Sequence, residues 1–247
     1  MTDPLILTLV AATFLVGGLI KGLIGLGVPI IVLSMLAPII GLKQALALFI
    51  VPGVVMNLWQ AFDGPYFRSN LERLWSTWLV SIFAIWAGTF ALARIDGRPV
   101  EVLLGIILAA YSVLSLVRPR LPPPRAWERW LGPTCGGVGG FLFGLTGTYM
   151  VPGVLYIEAI GLQRDAFVQA LGMTFCIITA SLGIGLIFNA LMTVEDGLVS
   201  SLALIPAFAG LLIGTRFRSY ISESLFRRIF FVWLGFTGVF ISYRAYF

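Results

Sequence analysis

Apolar residues run along this chain in blocks rather than in alternation. Residues 4–20, 22–42, 44–62, 74–93, 102–117, 130–157, 166–194, 197–215 and 229–243 contain no Asp, Glu, Lys or Arg. A helix needs about 20 predominantly apolar residues to cross the hydrocarbon core of a bilayer, and several runs meet that length. Strands of a membrane barrel would alternate polar and apolar positions in segments of about ten, a pattern the chain lacks. Helices also satisfy their backbone groups internally in lipid. The pattern predicts an all-α polytopic membrane protein.

Two of the blocks are interrupted from within. GLIKGLIGLGVP (18–29) holds four glycines, a proline and a lysine. GGVGGFLFGLTGTYMVPG (136–153) repeats the theme. The flanking arms, 4–20 with 26–40 and 131–146 with 150–160, are mostly short for a full crossing at about 1.5 Å per residue. Each interrupted block is therefore either a long kinked helix or a re-entrant hairpin that enters, breaks and returns.

The stretch RPRLPPPRAWERW (118–130) divides the chain into nearly equal parts, and its consecutive prolines exclude a helix there. Three segments result: a first membrane repeat, 1–117; a Pro/Arg-rich linker, 118–129; and a second membrane repeat, 130–247. The parts match in order. Gly22-Leu-Ile-Gly25 parallels Gly144-Leu-Thr-Gly147, and Gly41-Leu42 parallels Gly161-Leu162, with Ala45 and Ala166 soon after. Three further apolar segments follow in each.

Charge discriminates between the two readings of the breaks. Eight simple crossings distribute Lys and Arg almost evenly between the sides and define no orientation. Hairpins that return to their own side gather Arg68, Arg73, Arg118, Arg120, Arg125, Arg129, Arg164, Arg216, Arg218, Arg227 and Arg228 on one side. The other side keeps Lys43, Arg94, Arg98 and Arg244. The positive-inside rule makes the first side cytoplasmic. The expected architecture is two inverted repeats, each a glycine/proline-broken hairpin plus three transmembrane helices.

Composition agrees: 59% of the residues are hydrophobic and 11% charged, where soluble domains carry about 25% charged. The net charge of +5 reads as membrane topology, and the chain is too apolar to offer a nucleic acid a basic face. Histidine is absent, which removes the commonest metal ligand and proton shuttle. No buried acid pair or metal-ligand spacing suggests catalysis, so no enzyme activity, cofactor or metal is expected. Met1-Thr2-Asp3-Pro4 lacks the basic region of a cleavable signal. Cys135 and Cys176 lie in apolar runs and read as small buried hydrophobes rather than a disulfide.

A helix broken inside a membrane exposes backbone groups that are tolerated only within protein or at a wet cavity. Pro29 and Pro152 suit the first turns of returning arms, whose positive ends would bind an anion, while glycine permits close approach. The candidate substrate-binding residues are Lys21, Gly22, Gly25 and Gly27 at the first break, and Gly144, Thr146, Gly147, Thr148 and Tyr149 at the second. Asn57, Gln60 and Gln169 are polar residues within apolar runs that would line the same cavity. The alternatives are snorkelling for Lys21, backbone hydrogen bonding for the hydroxyls and close helix packing for the glycines. No Asp or Glu lies mid-run, which disfavours a cation pathway and favours anionic cargo.

At these paired glycine–proline breaks the chain resembles the sulfite exporter TauE/SafE family of membrane transporters. The resemblance rests on Gly22 through Pro29, on Gly144 through Pro152 and on the two Gly-Leu pairs, and it covers essentially the whole chain. It implies a secondary transporter of small sulfur-containing anions such as sulfite, a sulfonate or a sulfoacetate-like compound, working by alternating access in a bacterial inner membrane. A homodimer is compatible with it. The alternatives are an anion channel and a transporter of non-sulfur organic anions.

Overall fold

The computed structural model describes residues 4–24, 28–117, 123–217 and 223–246. Every regular element among them is helical: α1 (Pro4–Ile24), α2 (Val28–Ile40), α3 (Leu42–Phe62), α4 (Phe67–Arg94), α5 (Gly97–Val117), α6 (Glu128–Thr146), α7 (Leu155–Ala159), α8 (Arg164–Phe188), α9 (Val194–Leu202), α10 (Leu204–Phe217) and α11 (Glu223–Tyr246). Among the described residues, seven helices are long and apolar enough to cross a membrane: α1, α3, α4, α5, α8, the joined α9–α10 and α11. Val28–Ile40 and Met150–Ala159 are shorter apolar helices. Of the 118–129 linker, residues 118–122 lie outside the described residues; the remainder makes a turn at Arg125–Trp127 and begins α6.

The helices pack into two compact units, and each unit draws on both halves of the sequence. One comprises Met1–Pro52, Gly97–Arg118 and Met192–Phe247; the other comprises Gly53–Asp96 and Pro119–Leu191. Lipid tails are as apolar as leucine, so helix pairs in a membrane hold by close packing and hydrogen bonds rather than by expulsion of water. Both units show this.

In the first unit α1 lies along α10. Gly18 faces Ala207 and Leu211, and Gly22 faces Leu211, Gly214 and Thr215, so the two helices run parallel. The carbonyl of Leu211 would lie 2.5 Å from a Cβ on Gly22; the backbones meet because no side chain intervenes. α5 and α11 run antiparallel: Gly105 faces Gly238 and Ser242, while Gly235 faces Ser112. Ser112 donates to the Phe231 carbonyl (2.5 Å) and Ser242 to that of Val102 (3.2 Å). Pro52 has no N–H for the carbonyl four residues back. Ser200 of α9 fills that gap in α3, donating to the Leu48 carbonyl at 2.7 Å. A capping box starts α9, with the Thr193 hydroxyl accepting the Asp196 N–H and the Asp196 carboxylate accepting the Thr193 N–H.

The second unit repeats the parallel glycine seam. Gly136 faces Thr77 and Ser81, Gly140 faces Ser81 and Ala84, and Gly144 faces Ile85 and Gly88, so α6 runs parallel to α4. α8 follows α4 on another side. The Trp78 indole donates to Thr174 (2.9 Å), the Trp86 indole to the Ser181 carbonyl (3.2 Å), and Gly185 lies against Thr89.

Candidate functional site

In the second unit the chain between Glu128 and Ile160 goes out and comes back. At its base the Arg73 guanidinium takes both Glu128 carboxylate oxygens, at 2.5 and 2.9 Å, and the Ile160 carbonyl at 2.9 Å. One side chain of α4 thus holds the start of α6 and the end of α7. Further in, Gly132 faces Tyr156, and Gly139 faces Tyr149 and Gly153. The same end of the unit receives the end of α3 and the starts of α4 and α8. Asn70 donates to the Ala166 carbonyl (3.0 Å) and Gln60 to that of Val168 (2.8 Å). Arg68, Arg73, Arg129 and Arg164 belong to these helix ends.

The far end of the excursion is the break in the helix. α6 stops where Gly147 adopts φ +72°, its N–H closing on the Phe143 carbonyl at 2.8 Å. Glycine takes this left-handed conformation without a Cβ clash and is a common helix terminator. Thr148 and Tyr149 follow outside any helix, and a wide turn over Met150–Val154 is closed by the Val154 N–H on the Tyr149 carbonyl (3.1 Å). Val151 is extended there (φ −119°, ψ 123°), the Val151–Pro152 bond is cis, and α7 begins only at Leu155.

Thr146, Thr148 and Tyr149 are buried at this tip. The Thr146 hydroxyl lies 2.8 Å from the Leu142 carbonyl and 2.7 Å from the Thr148 hydroxyl, and it accepts the Thr148 N–H at 3.3 Å. With the Thr146 proton on Leu142, Thr148 donates to Thr146. With that proton turned onto Thr148, the Thr148 proton is free for another acceptor. The Tyr149 N–H has no acceptor among the described residues. The Tyr149 phenol is committed elsewhere. Ser81 Oγ lies 2.8 Å from it and within 3.0 Å of the Thr77 and Gly136 carbonyls. Serine has one proton, so when it serves a carbonyl the phenol is the donor to Ser81. The ring fills the space over Gly139 and Gly153 and meets Phe143 and Phe175 edge-on.

The remaining sequence candidates divide. Gln169 is buried and employed by the α3–α4 connection: its amide nitrogen donates to the Ala61 and Gly64 carbonyls (3.0 and 2.9 Å), and its oxygen accepts the Tyr66 N–H (2.8 Å). Gln60 binds the α8 backbone beside it. Asn57 donates back to the Gly53 carbonyl at 2.6 Å. Gly144 presents its bare face to Gly88, and Gly22, in the first unit, to α10. Lys21 is 8% exposed in the last turn of α1, which continues past Gly18 and Gly22 to Ile24. The close seam with α10 accounts for that continuity. Gly25 and Gly27 lie outside the described residues. Ser81, which meets the Tyr149 phenol, was not among the sequence candidates; its only signal is a hydroxyl inside an apolar run.

Seven helices long and apolar enough to cross a membrane, among the described residues, indicate a multi-pass membrane protein. The family model described as Sulfite exporter TauE/SafE matches residues 9–241, nearly the whole chain. The chain belongs to that family. Comparison with curated proteins and with solved structures found no match to either.

Proposed function

We propose that this protein is a secondary transporter that moves a small sulfur-containing anion, such as sulfite, a sulfonate or a sulfoacetate-like compound, across a bacterial inner membrane by alternating access. Family membership supports the cargo class. The observation that carries the binding mode is the tip at Thr146–Tyr149. One amide there lacks an acceptor, and a pair of hydroxyls can turn a proton outward. These donors, held in a low-dielectric setting, suit an oxyanion; the end of α6 at Gly147 is a C-terminus and adds no positive pole. Lys21, buried in the last turn of α1 in the first unit, is a separate candidate for contact with an anion.

The inverted-repeat arrangement is part of the proposal. Its support is the correspondence of helix pairs. α1 lies parallel to α10 as α6 lies parallel to α4, each over a glycine seam. α5 and its counterpart α11 run antiparallel, as helices related by inverted topology do. The excursion from Glu128 to Ile160 is then a re-entrant hairpin.

The test is thermal stabilisation of the detergent-purified protein by sulfite, sulfate, sulfoacetate, taurine, acetate and chloride, since a ligand of the folded state raises its stability by mass action. Shifts confined to sulfur oxyanions or sulfonates are expected. Saturable counterflow in proteoliposomes separates a carrier from a pore. A response to acetate alone would remove the sulfur assignment.

A further inference from the structure

The helical hydroxyls of this protein mostly return their proton to the carbonyl one turn back. Thr146 does so on Leu142 (2.8 Å), Thr174 on Ala170 (2.7 Å) and Thr237 on Trp233 (2.9 Å). Ser112, Ser200 and Ser242 donate to neighbouring helices instead, and Thr13 and Thr179 do neither: among the described residues their hydroxyl oxygens are buried with no hydrogen-bond partner. Thr77 shares the space over Gly132 with the Tyr156 phenol. Thr179 is 0% exposed in the middle of α8. A buried hydroxyl without a partner is destabilising, and the local remedy, the Phe175 carbonyl, goes unused.

The packing indicates what Thr179 faces. It stands one turn beyond Phe175, so the two share a helix face, and the Phe175 ring meets Tyr149 at 6.5 Å between centroids. Along α4, α8 reaches Trp78 through Thr174 and Thr89 through Gly185. Thr179 falls between those levels. Ser181, two residues on, meets Ile82 and Trp86, the stretch of α4 against which α6 sets Gly140 and Gly144. We infer that Thr179, a residue of α8, is a substrate-binding donor of the Thr146–Tyr149 tip, its hydroxyl reserved for an oxygen of the bound oxyanion. The inference rests on the reading of the tip as an anion site and adds a helix to it. The bound anion then bridges the hairpin and α8.

The experiment uses full-length protein carrying Thr179→Val or Thr179→Ser, with the melting temperature measured ligand-free and during titration with sulfite, sulfoacetate and acetate. Valine keeps the shape and removes the hydroxyl. The expected result for Thr179→Val is a ligand-free melting temperature equal to or above the wild type, with anion affinity weakened about tenfold or more. Thr179→Ser stays near the wild type in both. Unchanged affinity in Thr179→Val overturns the proposal, and so does a lowered ligand-free melting temperature, which would reveal a structural partner for the hydroxyl. The wild type separates this from the parent reading. If it responds to acetate and not to sulfur anions, the sulfur assignment fails and Thr179 is judged on acetate. If it responds to no anion, both fail.

Discussion

Gly88 of α4 and Gly144 of α6 stand back to back: a Cβ on either would lie 3.0 Å from the Cα of the other. Each would also press on a carbonyl of the facing helix, that of Phe141 or of Ile85. Backbone cannot yield as a flexible side chain does. Gly144→Ala is therefore expected to destabilise by about 1–3 kcal/mol through overpacking. Gly197 of α9 has only a methionine methyl at 3.8 Å, so Gly197→Ala should be neutral or stabilise by up to about 1 kcal/mol, the helix-propensity gain. Melting temperatures in detergent check the pair. Equal effects would mean that the α4–α6 seam is not closely packed.

That seam also marks where sequence reading stops. The helical class, the membrane setting and the family were legible because blocks of charge-free residues and paired glycine–proline breaks are local features. The role of each glycine was not. Gly22 and Gly144 carry the same sequence signal whether their bare face meets a substrate or a helix, and their facing partners, Gly214 and Gly88, are remote in sequence. Gln169 was readable as a polar residue in an apolar run, but not as the amide that ties Ala61, Gly64 and Tyr66 together.

Removing that amide gives a prediction of its own. Gln169→Leu leaves two carbonyls and one N–H of the α3–α4 connection without their partner, at a cost of about 2–4 kcal/mol. The melting temperature should fall while anion affinity, measured on the folded fraction, holds. Loss of affinity with the melting temperature intact would return Gln169 to the substrate.

Arg73 fastens the base of the hairpin through Glu128 and the Ile160 carbonyl. The bidentate geometry favours the pair, although both side chains are partly exposed and such pairs are screened. A double-mutant cycle with Arg73→Met and Glu128→Gln should give a coupling of about 1 kcal/mol. Arg73→Met should cost more than Glu128→Gln, because it also releases Ile160. Identical single-mutant effects would show that the carbonyl contact adds nothing.

The same clasp predicts topology. With Cys135 and Cys176 replaced by serine, single cysteines at Ser69 and Gln163 should react with an impermeant thiol reagent from the same face of the membrane, the cytoplasmic one. A cysteine at Leu191, beyond the far end of α8, should react from the opposite face. Labelling of Ser69→Cys and Gln163→Cys from opposite faces would show that the Glu128–Ile160 segment crosses rather than returns.

Lys21 is the sharpest point of the binding proposal. A lysine buried in the last turn of a membrane helix has a structural use, since a cation there complements the helix dipole, and a functional one, since intramembrane charges mark substrate paths. The two uses separate in measurement. Lys21→Met should weaken anion binding about tenfold or more, as loss of a charged hydrogen bond does. Lys21→Arg, which keeps the charge, should recover part of the affinity. Lys43, at the start of α3, is the matched control, and Lys43→Met should stay within about twofold of the wild type, as exposed charges contribute little. If Lys21→Met only lowers the melting temperature and leaves affinity untouched, the lysine serves the helix end, and the anion is held by the hydroxyl-lined tip without it.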